Sequence, residues 1–314
     1  MAMQDWMQNL DPTVTLDQIT MPGSHDAGVW EEGTETVGLA PKKLSVCQSL
    51  SLGGQCQAGS RFFDVRVEQF GPPWQRELRA LHLTAKMGGK GQFLDSMLDE
   101  VSRFVQSNNG SEFVIMRFTK CTNHADIINA VQYHCSNQLY KIGGYLSQAT
   151  IQNLRGKVVA VFDKGFAEEM RARNQMGPAQ GFHRFGKYGG GLTDGLITCG
   201  KYSNSQNLTE VSFGQYDHRI DHDLHTDTKH IFVLYWTQTG GNIRENTEGA
   251  HGTHQGLQNR VLDVYAPKPG QAQPLVKLPT VVLYDFVNVL TSTQIVTLND
   301  PPYRLFLGRP RVAS

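Results

Sequence analysis

The stretch EFVIMRFTK, Glu112 to Lys120, is short, rich in β-branched and aromatic residues, and closes on a charge. It reads as a strand. Beyond it Ile127, Ile128, Val131 and Leu139 recur at helical spacing, and KVVAVFDK, 157–164, then repeats the strand pattern. Strand, helix, strand in that order implies parallel pairing across a crossover. Upstream, Phe93, Met97, Leu98, Val101, Phe104 and Val105 mark another helix, preceded by the β-like runs TLDQIT (15–20), RFFDVRVEQ (61–69) and LRALHL (78–83). Downstream lie LITCGKY (196–202), HIFVLYWT (230–237) and TVVLYDF (280–286). About eight strands separated by helices favour a closed barrel over an open doubly wound sheet. The expected fold is α/β: one distorted (β/α) TIM-type barrel filling residues 1–314, with a core at about 14–300. The Gly-rich stretches 165–195 and 238–256 read as long loops.

Composition narrows the function classes. Apolar residues make up 39% of the 314, enough for a large core, and formal net charge is zero. Zero charge gives no global electrostatic case for nucleic acid or an anionic membrane. No apolar run approaches the ~18 residues of a membrane span. The start, MAMQDWMQNL, lacks the parts of a secretory signal, so any export uses a route not visible in the sequence; a cytoplasmic location is the alternative. Five cysteines (47, 56, 121, 135, 199) form no CxxC pair, and the expected state is reduced thiols. A monomer is expected.

In parallel barrels catalytic groups gather at the C-terminal ends of strands. Seven polar residues fall at or near such ends. His25 and Asp26 sit in the glycine-flanked turn MPGSHDAGVW, after the first run. Asp64 and Arg66 lie on one face of FFDVRV by period-two alternation. His82 ends LRALHL, and Asp285 lies near the end of TVVLYDF; Lys120 closes EFVIMRFTK. Two histidines can serve as base and acid, an arginine can hold a phosphate, and a carboxylate beside a histidine fixes its tautomer. The competing reading is a scatter of separately satisfied polar groups. It is weakest for Asp64 and Arg66, because two charges on one side of a strand need burial with partners or a cavity.

Three further patterns compete. GFHRFGKY, Gly181 to Tyr188, nearly fits a phosphate loop, but Tyr188 replaces the magnesium-binding hydroxyl and no strand precedes it. DHRIDHDLH puts His218, His222 and His225 on one helical face at a metal-ligand spacing, although a solvated polar helix is the preferred reading. Pro72, Pro73 and Trp74 fit an interfacial loop or, more simply, a connection with a partly buried tryptophan.

MPGSHDAG, AGSRFFDVRV, a histidine ending the next strand and SEFVIMRFTK together resemble the catalytic X domain of phosphatidylinositol-specific phospholipases C, in its bacterial single-domain form. NLRGKVVAVF, CGKYSNSQ, HIFVLYWTQTGG and VVLYDFVN extend the resemblance over about residues 14–290. It implies a distorted barrel that cleaves the glycerol–phosphate bond through the inositol 2-hydroxyl. The products would be diacylglycerol and a cyclic inositol phosphate. By the same resemblance His25 is the general base and His82 the general acid. Asp26 orients the acid, Asp285 hydrogen-bonds the base, and Asp64 with Arg66 flanks the phosphate. Arg66 stands where calcium-dependent forms bind the ion, which implies catalysis without metal or other cofactor. Lys120, Lys164 and Tyr202 are the implied substrate contacts.

The sequence departs from that pattern around the headgroup. Leu83 follows His82 where a glycine is usual, Asp163 stands at the inositol-gripping arginine, and Gly200 replaces a ring-contacting aspartate. The rim loop is the polar GGNIRENTEGAHGTHQG, without an aromatic anchor. The expected partner is therefore a phospholipid met peripherally and weakly at a membrane surface, with no nucleic acid. Two alternatives remain: a related barrel phosphodiesterase using a divalent metal on another lipid headgroup or a glycerophosphodiester, and a non-catalytic phospholipid-binding module.

Overall fold

The computed structural model describes residues 2–39, 41–72, 74–84, 87–107, 109–172, 177–223, 227–238, 242–244 and 278–300, the side chains of 84, 164, 170, 172 and 219–223 excepted. The chain opens with strand β1 (Met21–Ser24), the short strand β2 (Glu35–Val37) and helix α1 (Leu52–Gln57). Strands β3 (Phe62–Val65), β4 (Val67–Phe70), β5 (Glu77–Thr84) and β6 (Met87–Phe93) come next, then helix α2 (Leu94–Ser107). The middle holds β7 (Val114–Phe118), α3 (His124–Cys135), α4 (Ile151–Leu154), β8 (Val158–Phe162) and α5 (Lys164–Ala172). The last part holds β9 (Phe182–Lys187), β10 (Leu196–Cys199), α6 (Leu208–Asp223), β11 (Ile231–Trp236), β12 (Val281–Tyr284) and α7 (Val289–Val296).

Eight of these strands close a barrel in the order β1-β3-β7-β8-β9-β10-β11-β12, and every pair is parallel. Seven of the eight are buried on both faces, as a parallel barrel requires, and β9 is buried only at its start. Alternation sorts them. Phe62, Ile115, Val159, Val161, Val233, Val281 and Leu283 belong to one apolar cluster that fills the interior. Phe63, Val65, Val114, Met116, Phe118, Ala160 and Phe162 belong to another, shared with Leu98 and Val101 of α2 and Ile127 and Val131 of α3.

The eightfold count is the expected one, but its members differ. TLDQIT forms a 3-10 turn at Leu16–Gln18, and the first barrel strand is the following MPGS. LRALHL is a strand of a separate antiparallel sheet, ordered β2-β6-β5-β4. RFFDVRVEQ divides at Arg66: its first half enters the barrel and its second half the small sheet. The missing member comes from within 165–195, which is no loop, since α5 and β9 occupy much of it. GFHRFGKY is thus itself a barrel strand and carries no phosphate loop. The stretch 238–256 lies largely outside the described residues.

Two features fix the frame. Below the barrel, the fully buried Arg61 donates to Glu112 from Nε at 2.8 Å and Nη2 at 2.6 Å, and also to the carbonyls of Met3, Gln4 and Cys56. All of its donors are used, which is the condition under which a buried ion pair is tolerated. Beside β1, Gly28 lets the turn after His25 sit against the small sheet and α2. A Cβ there would lie 2.3 Å from the Cβ of Ala80 and 2.7 Å from the Met97 sulfur. Gly28→Ala is accordingly expected to cost about 1–3 kcal/mol of stability through overpacking. Urea unfolding will show this as a lower midpoint with an unchanged slope. Glu112→Ala, which strands Arg61 in the core, is expected to cost about 3–5 kcal/mol in the same measurement.

Candidate active site

The C-terminal end of β1 runs straight into the turn that carries His25 and Asp26. The His25 N–H donates to the carbonyl of Tyr284 at the end of β12, and Ala27 N–H to the carbonyl of Asp64. Asp26 is left-handed, with φ 41°. Lys120 and Phe286, each also two residues past the end of a barrel strand, share that conformation at φ 52°. Such backbone costs of order 1 kcal/mol per residue and is held by its surroundings. Here the fully buried Gln48 supplies part of the clamp. Its amide donates to the His25 carbonyl at 2.8 Å, and its oxygen accepts from Val287 N–H at 3.0 Å.

Asp26 is the hub. Its buried carboxylate lies 2.9 Å from Arg66 Nε, 3.4 Å from His25 Nε2 and 3.5 Å from His82 Nε2. His25 Nδ1 lies 2.9 Å from Asp285, which sets the neutral ring with its proton on Nδ1 and its lone pair on Nε2. His82 Nδ1 lies 2.9 Å from the Ser45 carbonyl, which fixes the proton there and turns Nε2 toward Asp26. The two imidazoles are 6.5 Å apart and nearly perpendicular. Burial pulls the His25 pKa down, but the charges of Asp26 and Asp285, with the Asp285 hydrogen bond, outweigh it and raise the pKa to about 9.

Asp64 binds Arg117 rather than Arg66: Arg117 Nη2 reaches it at 2.9 Å, and Thr119 donates at 3.1 Å. Burial opposes its charge, but Arg117 first and Arg66 next hold its carboxyl below the ordinary carboxylate range. Arg117 also donates to the Tyr235 hydroxyl at 2.8 Å and sits directly across the β3–β7 register from Asp64. This buried trio caps the apolar interior and forms the floor of the cleft.

His25, Asp26, Arg66, His82 and Asp285 are thus gathered at one point, with Asp64 on the floor beneath. Tyr202 joins them, its ring stacked on His25 at 5.7 Å and 21°. Lys120 is not brought in by any contact of its side chain: it is exposed, and its backbone N–H donates to Asp163. The side chain of Lys164 lies outside the described residues. Arg117, Tyr235, Gln48 and Cys47 were not expected. Arg117 left one signal, a lone charge inside the apolar run VIMRF. Gln48 left none. Trp74 is 85% exposed, against the expectation of partial burial, and stands at the β4–β5 turn. That is the end of β5 opposite His82, some five residues or ~17 Å away.

Among the described residues, His25, Asp26 and Cys47 are the one group of three ligand atoms close enough to share a metal ion, all within 4.8 Å of one another. Of the three histidines at metal spacing, His218 lines an open cavity of about 280 Å³ together with Lys187 and Lys201, two cations that disfavour a metal there. His225 and the His222 side chain lie outside the described residues. The five cysteines are all buried and none is in a disulfide. No described helix is long and apolar enough to cross a membrane.

The fold is a closed parallel (β/α) barrel with the His25 cluster at the C-terminal ends of its strands. The solved structures it resembles include the phosphatidylinositol-specific phospholipase C of Listeria monocytogenes, at 15% identity and TM-score 0.62, covering 96% of this chain and 99% of that one. A mutant of the Staphylococcus aureus enzyme matches at 14% and 0.62, over 94% and 98%. A Ca2+-dependent phosphatidylinositol-specific phospholipase C from Streptomyces antibioticus matches at 10% and 0.52, over 90% and 98%. No family model and no curated protein matches the sequence.

The raised pKa of His25 fixes two signs. A base must be neutral to accept a proton, so kcat/KM is expected to climb through neutrality with its rising limb near pH 9. Asp285→Asn removes one attraction and should move that limb downward while lowering the maximum. The folded state also holds this proton more tightly than the unfolded chain does. The resulting stability is full below about pH 6.5 and fades as pH rises through about 9, measurable as a falling unfolding midpoint.

Proposed function

We propose that the protein is a metal-independent phospholipase C of the phosphatidylinositol type, a diacylglycerol-lyase. The observation that carries this reading is two imidazoles, both edged by the Asp26 carboxylate, with the Arg66 guanidinium at 2.9 Å from the same carboxylate. A base, an acid and a fixed cation within one buried cluster are what an in-line displacement at a phosphodiester needs. The enzymes named for the similar structures act on phosphatidylinositol by their names, which supports that headgroup here.

In this reading the lone pair on His25 Nε2 takes the proton of the inositol 2-hydroxyl. The freed oxygen attacks phosphorus and closes the cyclic phosphate. Asp285 steadies the imidazolium that forms. Arg66, tethered by Asp26, offsets the charge that grows on the phosphoryl oxygens. His82, entering the step as the imidazolium, then gives its Nε2 proton to the departing diacylglycerol oxygen and keeps the Nδ1 proton on the Ser45 carbonyl. Attack from within the substrate needs no bound water, and a held neighbouring hydroxyl is worth ~7 kcal/mol or more. Tyr202 offers the inositol ring a flat apolar face beside His25. Leu83 and Met87, at the closed end of the β5–β6 hairpin next to His82, are 46% and 56% exposed and offer apolar contact to a lipid.

Calcium does not fit these residues. It favours six to eight oxygen donors, whereas Asp26 is surrounded by a guanidinium, two imidazoles and a thiol. Phosphorus NMR of phosphatidylinositol incubated with the protein in chelator is therefore expected to show a cyclic inositol phosphate. Arg66→Ala should lower turnover by roughly a hundredfold to a thousandfold. Arg66→Lys should fail nearly as badly, because it keeps the charge and loses the planar fork. Loss of activity in chelator, restored by calcium or magnesium, would overturn the role given to Arg66 and favour the metal-dependent alternative.

A further inference from the structure

Cys47 has no part in the proton transfers above, yet its thiol sits in the middle of the cluster. Its Sγ is buried and lies 3.5 Å from His82 Nδ1, a nitrogen already held at 2.9 Å by the Ser45 carbonyl. Sγ, a nitrogen of His25 and an oxygen of Asp26 lie within 4.8 Å of one another. The His25 Nε2 to Asp26 Oδ2 separation is 3.4 Å, close to the ~3.3 Å edge of a tetrahedron whose bonds are about 2.0–2.1 Å.

A second observation points independently at a ligand. The Asp26 side chain is wholly buried, and neither of its oxygens is in hydrogen-bonding geometry with any described group; the Arg66 contact is an ion pair off that line. Arg66 stands at Oδ1. Oδ2 is the oxygen nearest both imidazoles, at 3.4 Å from His25 Nε2 and 3.5 Å from His82 Nε2.

We propose that His25, Asp26 and Cys47 form a binding site for a thiophilic divalent cation such as Zn2+, and that its occupation silences the active site. The donor set selects the ion: a thiolate and an imidazole suit zinc, cadmium or cobalt and disfavour calcium and magnesium. The metal displaces the Nε2 proton of His25 and occupies the lone pair needed as base, and that proton and the Cys47 thiol proton both pass to solvent. Charge also permits it. With His25 protonated, Asp26, Asp64 and Asp285 balance His25, Arg66 and Arg117, and a divalent ion that displaces the His25 proton and the Cys47 thiol proton leaves that balance unchanged. Without metal the thiol stays protonated, because burial first, and then Asp285 and Asp26, raise its pKa well above the ordinary value. The coordination stands on geometry alone; only the loss of turnover rests on the function proposed above.

The test is a titration of the metal-free protein with Cd2+ and Co2+, read as the ultraviolet thiolate-to-metal charge-transfer band, beside Zn2+ inhibition of phosphatidylinositol cleavage. A band saturating at one equivalent is expected, absent in both Cys47→Ser and Cys47→Ala. The Zn2+ concentration for half-inhibition is expected to rise by roughly tenfold or more in those variants. Having two variants guards against one that fails to fold, and circular dichroism identifies it. No band in the parent protein, or a band that survives loss of Cys47, overturns the site. A band with undiminished turnover overturns the inhibition. A parent protein that cleaves no phospholipid yet shows the Cys47-dependent band upholds the site and rejects the proposed function instead.

Discussion

One buried carboxylate organises the upper half of this molecule. Asp26 has no exposure of its own, and an isolated carboxylate in such surroundings would be held neutral. It is kept in place by Arg66 from the β3–β4 junction, by His25 from its own turn and by His82 from the small sheet. Three elements distant in sequence therefore converge because one charge must be satisfied. The left-handed backbone at Asp26 follows from the same demand, since it points the side chain into that convergence.

The floor beneath obeys a different rule. Asp64 and Arg117 face each other across a parallel register inside the barrel, and Tyr235 completes the set. A barrel interior is normally filled by apolar side chains in layers. Here the lowest layers are apolar and the top one is ionic. The transition from core to chemistry occurs within two residues of β7, from Ile115 to Arg117. Charged groups at this depth are tolerated because every one is paired, and the pairing holds Asp64 in its ionised form below Arg66.

Much of this was legible in the chain. EFVIMRFTK and KVVAVFDK announced buried parallel strands because residues covered on both faces are almost uniformly apolar. MPGS did not, since proline and glycine are poor strand formers; its strand exists through pairing with β3 and β12. FHRFGK mixes charge with aromatics and is held by neighbours on both sides, a tertiary effect that local propensity cannot show. LRALHL was visible as a strand, but not the sheet it joins, because the direction of pairing is set by residues far along the chain. The histidines and aspartates stood out as charges beside glycine turns and strand ends. Arg117 was hidden because its meaning lies in its register partner. Lys120 was as prominent in the chain, and its side chain is exposed two residues past the end of β7.

The small antiparallel sheet divides responsibility for the cleft. His25 is positioned by the closed barrel, which has no freedom to shift. His82 is positioned by a hairpin whose side chains alternate, so a slip of one residue would send its ring to the opposite face and bring Leu83 inward. The irregular pairing between Arg79 and Leu81 absorbs a residue just before His82. Arg79, anchored to the Gly91 carbonyl at 2.7 Å and to Glu35 at 2.7 Å, pins the ribbon beside it. In the proposed mechanism the base is thus guaranteed by topology and the acid only by alignment. The two halves of the chemistry therefore differ in robustness. Damage at Arg79, remote from any substrate, acts as a timing error in a gear train: every part is intact, and one tooth no longer meets its partner.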